Sequence, residues 1–132
     1  MIIGTLKEKK KFENRVAISP DEVKSYLKSG HQVLIEKGAG SLSGFTDKSY
    51  KEAGATITNS KEVLKTSEII IKINCPSPEE SKLINNKAMV VSQISTQNNQ
   101  ESIKILNSRK VSAFALELVP RITRAQDMDI LS

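Results

Sequence analysis

An α/β fold, built on a doubly wound, mainly parallel sheet with helices on both faces, is predicted by three features of the 132-residue sequence. Short uninterrupted apolar runs recur along it, among them Ile2-Ile3, Val33-Leu34-Ile35, Ile69-Ile70-Ile71 and Met89-Val90-Val91. Segments with helix-start signals separate most of these runs, and Gly, Pro and Asn punctuate the joins. Strands buried on both faces read as continuous apolar runs, because crossover helices cover each side of a parallel sheet.

The first strand lies in the Met1–Leu6 stretch, and the charged segment Lys7–Glu13 that follows is a loop. Pro20, Asp21 and Glu22 place a first-turn proline and two acids at the positive end of a helix that carries Val23, Tyr26 and Leu27 at core spacing and stops at Gly30. Val33–Ile35 is the second strand, and a Gly-rich loop then runs to about Thr46. Asp47 is the expected cap of a short helix that ends at Gly54. Thr56–Thr58 reads as a strand, Asn59 or Ser60 caps the next helix, and Glu68–Ile73 is too short an apolar run for anything but a strand. Ser77-Pro78-Glu79-Glu80 combines a cap, a first-turn proline and two acids, which predicts a helix to about Leu83 or Ile84. Met89–Val91 is a strand, Ser95–Asn99 a polar loop, Gln100–Ser108 a helix with Ile103 and Leu106 inward, and Val111–Leu116 the last strand.

Composition narrows the function classes. The chain is 38% hydrophobic, 27% charged and only 4% aromatic, as expected of one aliphatic-cored domain. No apolar run approaches the 18 or more residues that a membrane-spanning helix needs. The N-terminus shows no basic region leading into an apolar secretory core, so a cytoplasmic, reducing compartment is expected. The single cysteine, Cys75, excludes an internal disulfide and has no histidine or second cysteine at zinc-ligand spacing. A formal charge of +5 raises the question of nucleic acid, yet the lysines are scattered, the run Lys7, Lys9, Lys10, Lys11 is broken by Glu8, and few aromatics can stack on bases, so no nucleic-acid role is expected.

Ligands of such sheets sit beyond the carboxyl ends of the strands, which points to the loops there. The segment Val119–Ser132 gathers two arginines, a glutamine, two aspartates and a serine, groups suited to a phosphate and a carboxamide; a solvated polar tail has the same composition. Arg15 could meet a carboxylate or phosphate, or tie its loop to a neighbour. Lys72, near the end of an Ile-rich strand, could present its ammonium to a ligand or reach solvent. His31 has no triad or metal partners at useful spacing and reads as a packing or surface residue. Gly38-Ala39-Gly40 fails the dinucleotide fingerprint, because its third glycine position is Ser43 and no helix follows directly, so a plain loop is expected. Cys75 has no evident base nearby and is not expected to act as a nucleophile.

Five stretches together resemble one family, the N-terminal domain of the alpha subunit of proton-translocating NAD(P) transhydrogenase and its relative alanine dehydrogenase. They are ENRVAISP (13–20), GHQVLIEKGAG (30–40), FTDKSYKEAGA (45–55), IIIKINCP (69–76) and VPRITRAQDMDILS (119–132). The resemblance implies a flavodoxin-like arrangement of the sheet. It also implies a component that binds NAD(H) and exchanges a hydride with NADP(H) held by a partner component, coupled to proton translocation. Alanine dehydrogenases carry a second lysine where Asn74 stands, and a histidine in the loop after the next strand, where the region 92–96 has none. That departure favours the transhydrogenase branch over pyruvate chemistry.

On this resemblance Arg121, Gln126, Asp129 and Ser132 contact the nicotinamide end of NAD(H), with Gln126 nearest the hydride transfer, and no metal takes part. The family's Pro-Ala-Gln-Asn stretch appears as Ser95-Thr96-Gln97-Asn98, without its proline. Residues 1–132 are expected to form a single N-terminal domain. The Rossmann NAD-binding domain that follows in family members is expected to be absent from the chain, which by itself would then be inactive. Partners implied are that Rossmann domain, the NADP(H)-binding and membrane components, and a second copy in a homodimer, with the assembly peripheral to the inner membrane on its cytoplasmic side. Two alternatives stay open: a non-catalytic assembly or nucleotide-binding module, including the remnant of a split gene, and an alanine dehydrogenase N-terminal domain.

Overall fold

The computed structural model describes residues 1–93 and 99–115. Its elements follow in the order β1 (Ile2–Thr5), α1 (Pro20–Lys28), β2 (Gln32–Glu36), α2 (Asp47–Ala53), β3 (Thr56–Thr58), α3 (Ser60–Thr66), β4 (Ile69–Asn74), α4 (Pro78–Leu83), β5 (Met89–Gln93), α5 (Gln100–Ser108) and β6 (Ser112–Ala115). The six strands form one sheet ordered β3-β2-β1-β4-β5-β6, and every pairing is parallel. Without the three-residue edge strand β3 this is the flavodoxin-like order, with β3 added at one side.

Local chemistry explains the helix boundaries. Ser19 and Ser77 each accept from the backbone N–H three residues on, and Glu22 and Glu80 reach back to the cap's own N–H, so α1 and α4 both begin with a capping box. Asn59 caps α3. At α2 the expectation is corrected: Thr46 is the cap, its hydroxyl accepting from Ser49 N–H, and Asp47 is the first helical residue. Asp47 turns its carboxylate back to accept from Gly38 N–H at 2.9 Å, which fastens the preceding loop. That loop also holds one turn of 3₁₀ helix at Ser41–Ser43, which composition did not foretell.

Two apolar layers sandwich the sheet. Ile3, Val33, Ile35, Ile69 and Ile71 pack with Val23, Tyr26, Tyr50 and Ala53 of α1 and α2. Ile70, Val90 and half-buried Leu34 pack on the other face with Val63 and Leu64 of α3 and Leu106 of α5. Each fully buried side chain of this size contributes about 1.5–3 kcal/mol. Tyr50 is buried and donates its hydroxyl to Ile18 C=O at 2.6 Å; burial pushes its pKa up to about 12, so it remains a neutral donor. Gly4 lets α3 close on β1, since a Cβ there would overlap Ser67 Oγ and come within 2.8 Å of Val63 Cγ1.

The chain runs outward from β1 to β3 and then returns to place β4 on the other side of β1. At this reversal the loops after β1 and β4 diverge, which opens a crevice beyond the strand ends. Thr5 Oγ1 donates to Ile71 C=O and holds the two strands together just below it.

Candidate functional site

The crevice is a cleft of about 510 Å³. Glu8, Lys9 and Lys10 approach it from the loop after β1, Lys72, Asn74 and Cys75 from the end of β4 and the residue after it, Ser77 and Glu80 from the start of α4, Gln93 from the end of β5, and Glu101 and Ser102 from α5. The cleft thus lies beyond the carboxyl ends of β1 and β4, where the order reverses, and of the adjoining β5.

Glu8 organises the cleft wall. Where β1 leaves the sheet, β4 continues beyond it, and the Glu8 carboxylate takes over as acceptor: Oε2 accepts from Ile73 N–H at 2.8 Å, and Oε1 from Asn74 N–H at 3.1 Å and from the Asn74 amide at 3.4 Å. Lys72 Nζ lies 3.3 Å from Oε1 and completes the set. Both partners are buried, with side-chain exposures of 3% for Lys72 and 1% for Glu8. A buried pair persists only when its remaining hydrogen-bonding capacity is filled, and the β4 amides do most of that here. Lys72 therefore does not reach solvent, and its ammonium is committed to Glu8. In the sequence Glu8 is visible only as an interruption of a lysine run. A physical signal accompanies it nonetheless: an acid just past a buried strand needs a cation, and Lys72 is at the matching end of the neighbouring strand.

Asn74 links this pair to a second one. Its side-chain amide donates to Glu13 Oε1 at 3.0 Å as well as to Glu8. Glu13 is gripped by Arg15, whose Nε and Nη2 donate to its two oxygens at 2.9 and 3.0 Å, with Arg15 N–H adding a third bond at 3.1 Å. The Arg15 hydrogen bonds hold the Glu13 carboxyl down at about 2, with Asn74 contributing, against a smaller opposing effect of burial; the same pairing raises Arg15. Of the two readings the sequence leaves open for Arg15, the structure shows the local tie.

Glu80 is buried. One of its oxygens caps Ser77 N–H at 2.9 Å, while Oε2 accepts no hydrogen bond from the described residues and has Lys9 Nζ 3.7 Å away. Cys75 is half-buried at the rim. His31 lies at the opposite, amino end of the sheet, 3.3 Å from the Met1 amino group. The Gly38-Ala39-Gly40 segment spends its amides internally, Gly38 N–H on Asp47 and Ala39 N–H on Glu36 C=O, as a plain loop does. Arg121, Gln126, Asp129 and Ser132 lie outside the described residues, as does the 94–98 stretch of the polar loop. Among the described residues no group of three or more His, Cys, Asp or Glu side chains is placed to hold a metal, and no helix is long and apolar enough to cross a membrane.

Known proteins resemble this chain over its whole length. The family described as alanine dehydrogenase/PNT, N-terminal domain, matches residues 4–132. NAD(P) transhydrogenase subunit alpha of Haemophilus influenzae is 41% identical over 100% of this chain and 26% of its own length. In Rhodospirillum rubrum, the first of the chains that make up NAD(P) transhydrogenase subunit alpha is 38% identical over 100% of this chain and 36% of its own. Alanine dehydrogenase of Methanococcus maripaludis is 39% identical over 95% and 34%. Among solved structures, transhydrogenase from Sinorhizobium meliloti superposes with a TM-score of 0.88 at 37% identity, covering 99% of this chain and 39% of that one. An L-alanine dehydrogenase gives a TM-score of 0.81 at 32% identity over 87% and 32%. The chain thus spans between a quarter and two fifths of the length of these relatives.

Proposed function

Because the chain belongs to the family of alanine dehydrogenase/PNT N-terminal domains, we propose that it is part of the NAD(H)-binding component of an NAD(P) transhydrogenase, which passes a hydride between NAD(H) and NADP(H). Similarity reaches both branches of the family at comparable identity, so the site has to discriminate between them. The observation that carries the reading is Asn74. Where an alanine dehydrogenase is expected to present a second lysine, this chain has an amide held between Glu8 and Glu13. Lys72 in the cleft wall and Arg15 at its outer edge are each already held by a carboxylate, which leaves neither free to take a keto-acid carboxylate.

Part of the lining suits a carboxamide: Glu80 Oε2 is a buried acceptor with Lys9 Nζ 3.7 Å away and no hydrogen bond from the described residues, and neutral Asn74 and Gln93 line the same cleft. When bound, the nicotinamide of NAD(H) supplies or accepts the hydride. On this reading Arg121, Gln126, Asp129 and Ser132 contact the nicotinamide end of NAD(H), with Gln126 nearest the hydride transfer. Adenosine and pyrophosphate are held by a Rossmann domain outside these 132 residues, and NADP(H) by a separate component. A membrane component carries the protons, which places the chain at the cytoplasmic surface of the inner membrane, and a homodimer is compatible with this arrangement.

The test is made in the assembled complex. Gln126→Ala is expected to slow hydride transfer by about 10²-fold through misalignment while changing NADH affinity little. Arg121→Ala should act mainly on affinity, since a charged contact is similar in ground and transition states. Equal, small effects of both variants, or turnover of alanine by the assembled protein, would overturn the reading.

A further inference from the structure

At the cleft mouth the turn that carries Phe12 packs its ring on no core among the described residues. Lys10–Glu13 is a tight turn closed by Glu13 N–H donating to Lys10 C=O at 3.0 Å, and Phe12 occupies its third position at φ +68°. That is the left-handed region, where glycine or asparagine belongs and an aromatic residue is strained. The ring is 88% exposed, with the Lys11 ammonium 5.2 Å from its centroid. Lys7, Lys9, Lys10 and Lys11 are exposed beside it, and Lys9 and Lys10 line the cleft itself. Neither burial among the described residues nor backbone preference accounts for a phenylalanine here.

We propose that the Lys9–Phe12 tip is a docking element for an acidic protein surface with an apolar recess, Phe12 entering the recess and the lysines steering the approach. The proposal rests on the transhydrogenase reading: hydride exchange requires a second nucleotide-binding protein to bring its ring to this end of the sheet, so whatever contacts the tip also covers the cleft. Charge complementarity fixes the sign of the partner's surface and makes the association rate salt-dependent. A protein fits better than an anionic bilayer, because exposed Glu101 stands at the same mouth as Lys9 and Lys10, where a lipid surface of one sign would repel it while a protein surface can place its own cation opposite.

The experiment compares the assembled NAD(H)-binding component with Phe12→Gly and with a Lys10→Glu/Lys11→Glu double variant, using the NADP(H)-binding component of the same complex as probe. Phe12→Gly suits the turn, so its thermal midpoint should equal or exceed that of the parent, while affinity for the probe falls tenfold or more. Phe12→Asn, which also tolerates the left-handed conformation, should behave alike and guards against an effect peculiar to glycine. The double lysine variant should associate more slowly and with a flatter salt dependence. Parent-like affinity of Phe12→Gly would overturn the docking role while leaving the hydride-transfer reading intact. No association between the unaltered components would overturn that reading, and the docking role with it. Binding of the parent to phosphatidylserine vesicles, lost in Phe12→Gly, would overturn the protein partner in favour of a membrane surface.

Discussion

Two ion pairs draw their glutamates from the same loop of this domain and are joined by one asparagine amide, yet they do different things. Glu8–Lys72 is enclosed at the end of the sheet, where the carboxylate finishes hydrogen bonds that β1 would have made. Glu13–Arg15 is lopsided: the Glu13 side chain is 10% exposed and the Arg15 side chain 63%. Enclosure turns the first pair into a part of the β-sheet, because neither charge has water to fall back on. Exposure leaves the second adjustable, since the guanidinium loses little by returning to solvent. The contrast predicts that the cleft wall yields less than its outer edge to a ligand or a change of pH.

The sharpest way to break this contrast is to remove one partner of the enclosed pair. Lys72→Met leaves Glu8 buried without its cation, and a loss of about 3–5 kcal/mol in urea-unfolding free energy is expected, nearer the lower figure because the β4 amides remain. Lys72→Met combined with Glu8→Gln should recover part of that loss by removing the stranded charge. If Lys72→Met alone cost under about 1 kcal/mol, the pair would be behaving as a surface bridge and the distinction would collapse.

Much of the scaffold is legible in the residue pattern because each signal is local. The Ser-Pro-acid starts of α1 and α4 and the glycine after α2 act within one helical turn, and the Ile and Val runs mark strands by their own burial. Thr46 and Asp47 are both competent caps, and only the backbone direction at the join chooses between them, so the pattern alone points to the wrong one. The cleft wall is less legible. Glu8 and Lys72 are 64 residues apart and meet only because the strand order reverses between β1 and β4, a long-range fact that no window of sequence contains. Arg15 is ambiguous for a similar reason: a guanidinium in a loop reads alike whether it awaits a ligand or holds its neighbour.

Asn74 is the joint between the two pairs, and its removal sharpens the comparison from the middle. Asn74→Ala deletes two hydrogen bonds to carboxylates but keeps the backbone N–H that Glu8 uses, so a cost of about 1–2 kcal/mol is expected, below that of Lys72→Met. Glu13 loses one of the hydrogen bonds that hold it down, so its pKa, followed by carboxyl carbon NMR, should rise from about 2. Glu8 keeps its backbone donors and its lysine. A Glu13 titration left unmoved by Asn74→Ala would mean that Asn74 serves mainly the enclosed pair.

The smallest effect at neutral pH belongs to Arg15→Ala, about 0–1 kcal/mol, as for other exposed pairs. Its signature appears in acid. Glu13 titrates at about 2 in the folded chain against 4.5 for a free glutamate, so the folded state favours the ionised form. Stability from this source is fully present above about 4.5, declines as the pH falls through the interval, and is gone below about 2. Removing Arg15 takes away the largest cause of the depression, so Glu13 returns toward its ordinary value and the decline flattens. Thermal midpoints measured between pH 2 and 6 should therefore converge at the acid end, with the unaltered chain losing its small advantage there. Curves that stay parallel through that interval would show that the Glu13–Arg15 contact contributes nothing to the folded state, and that the outer pair holds the Arg15 side chain in place without stabilising the loop.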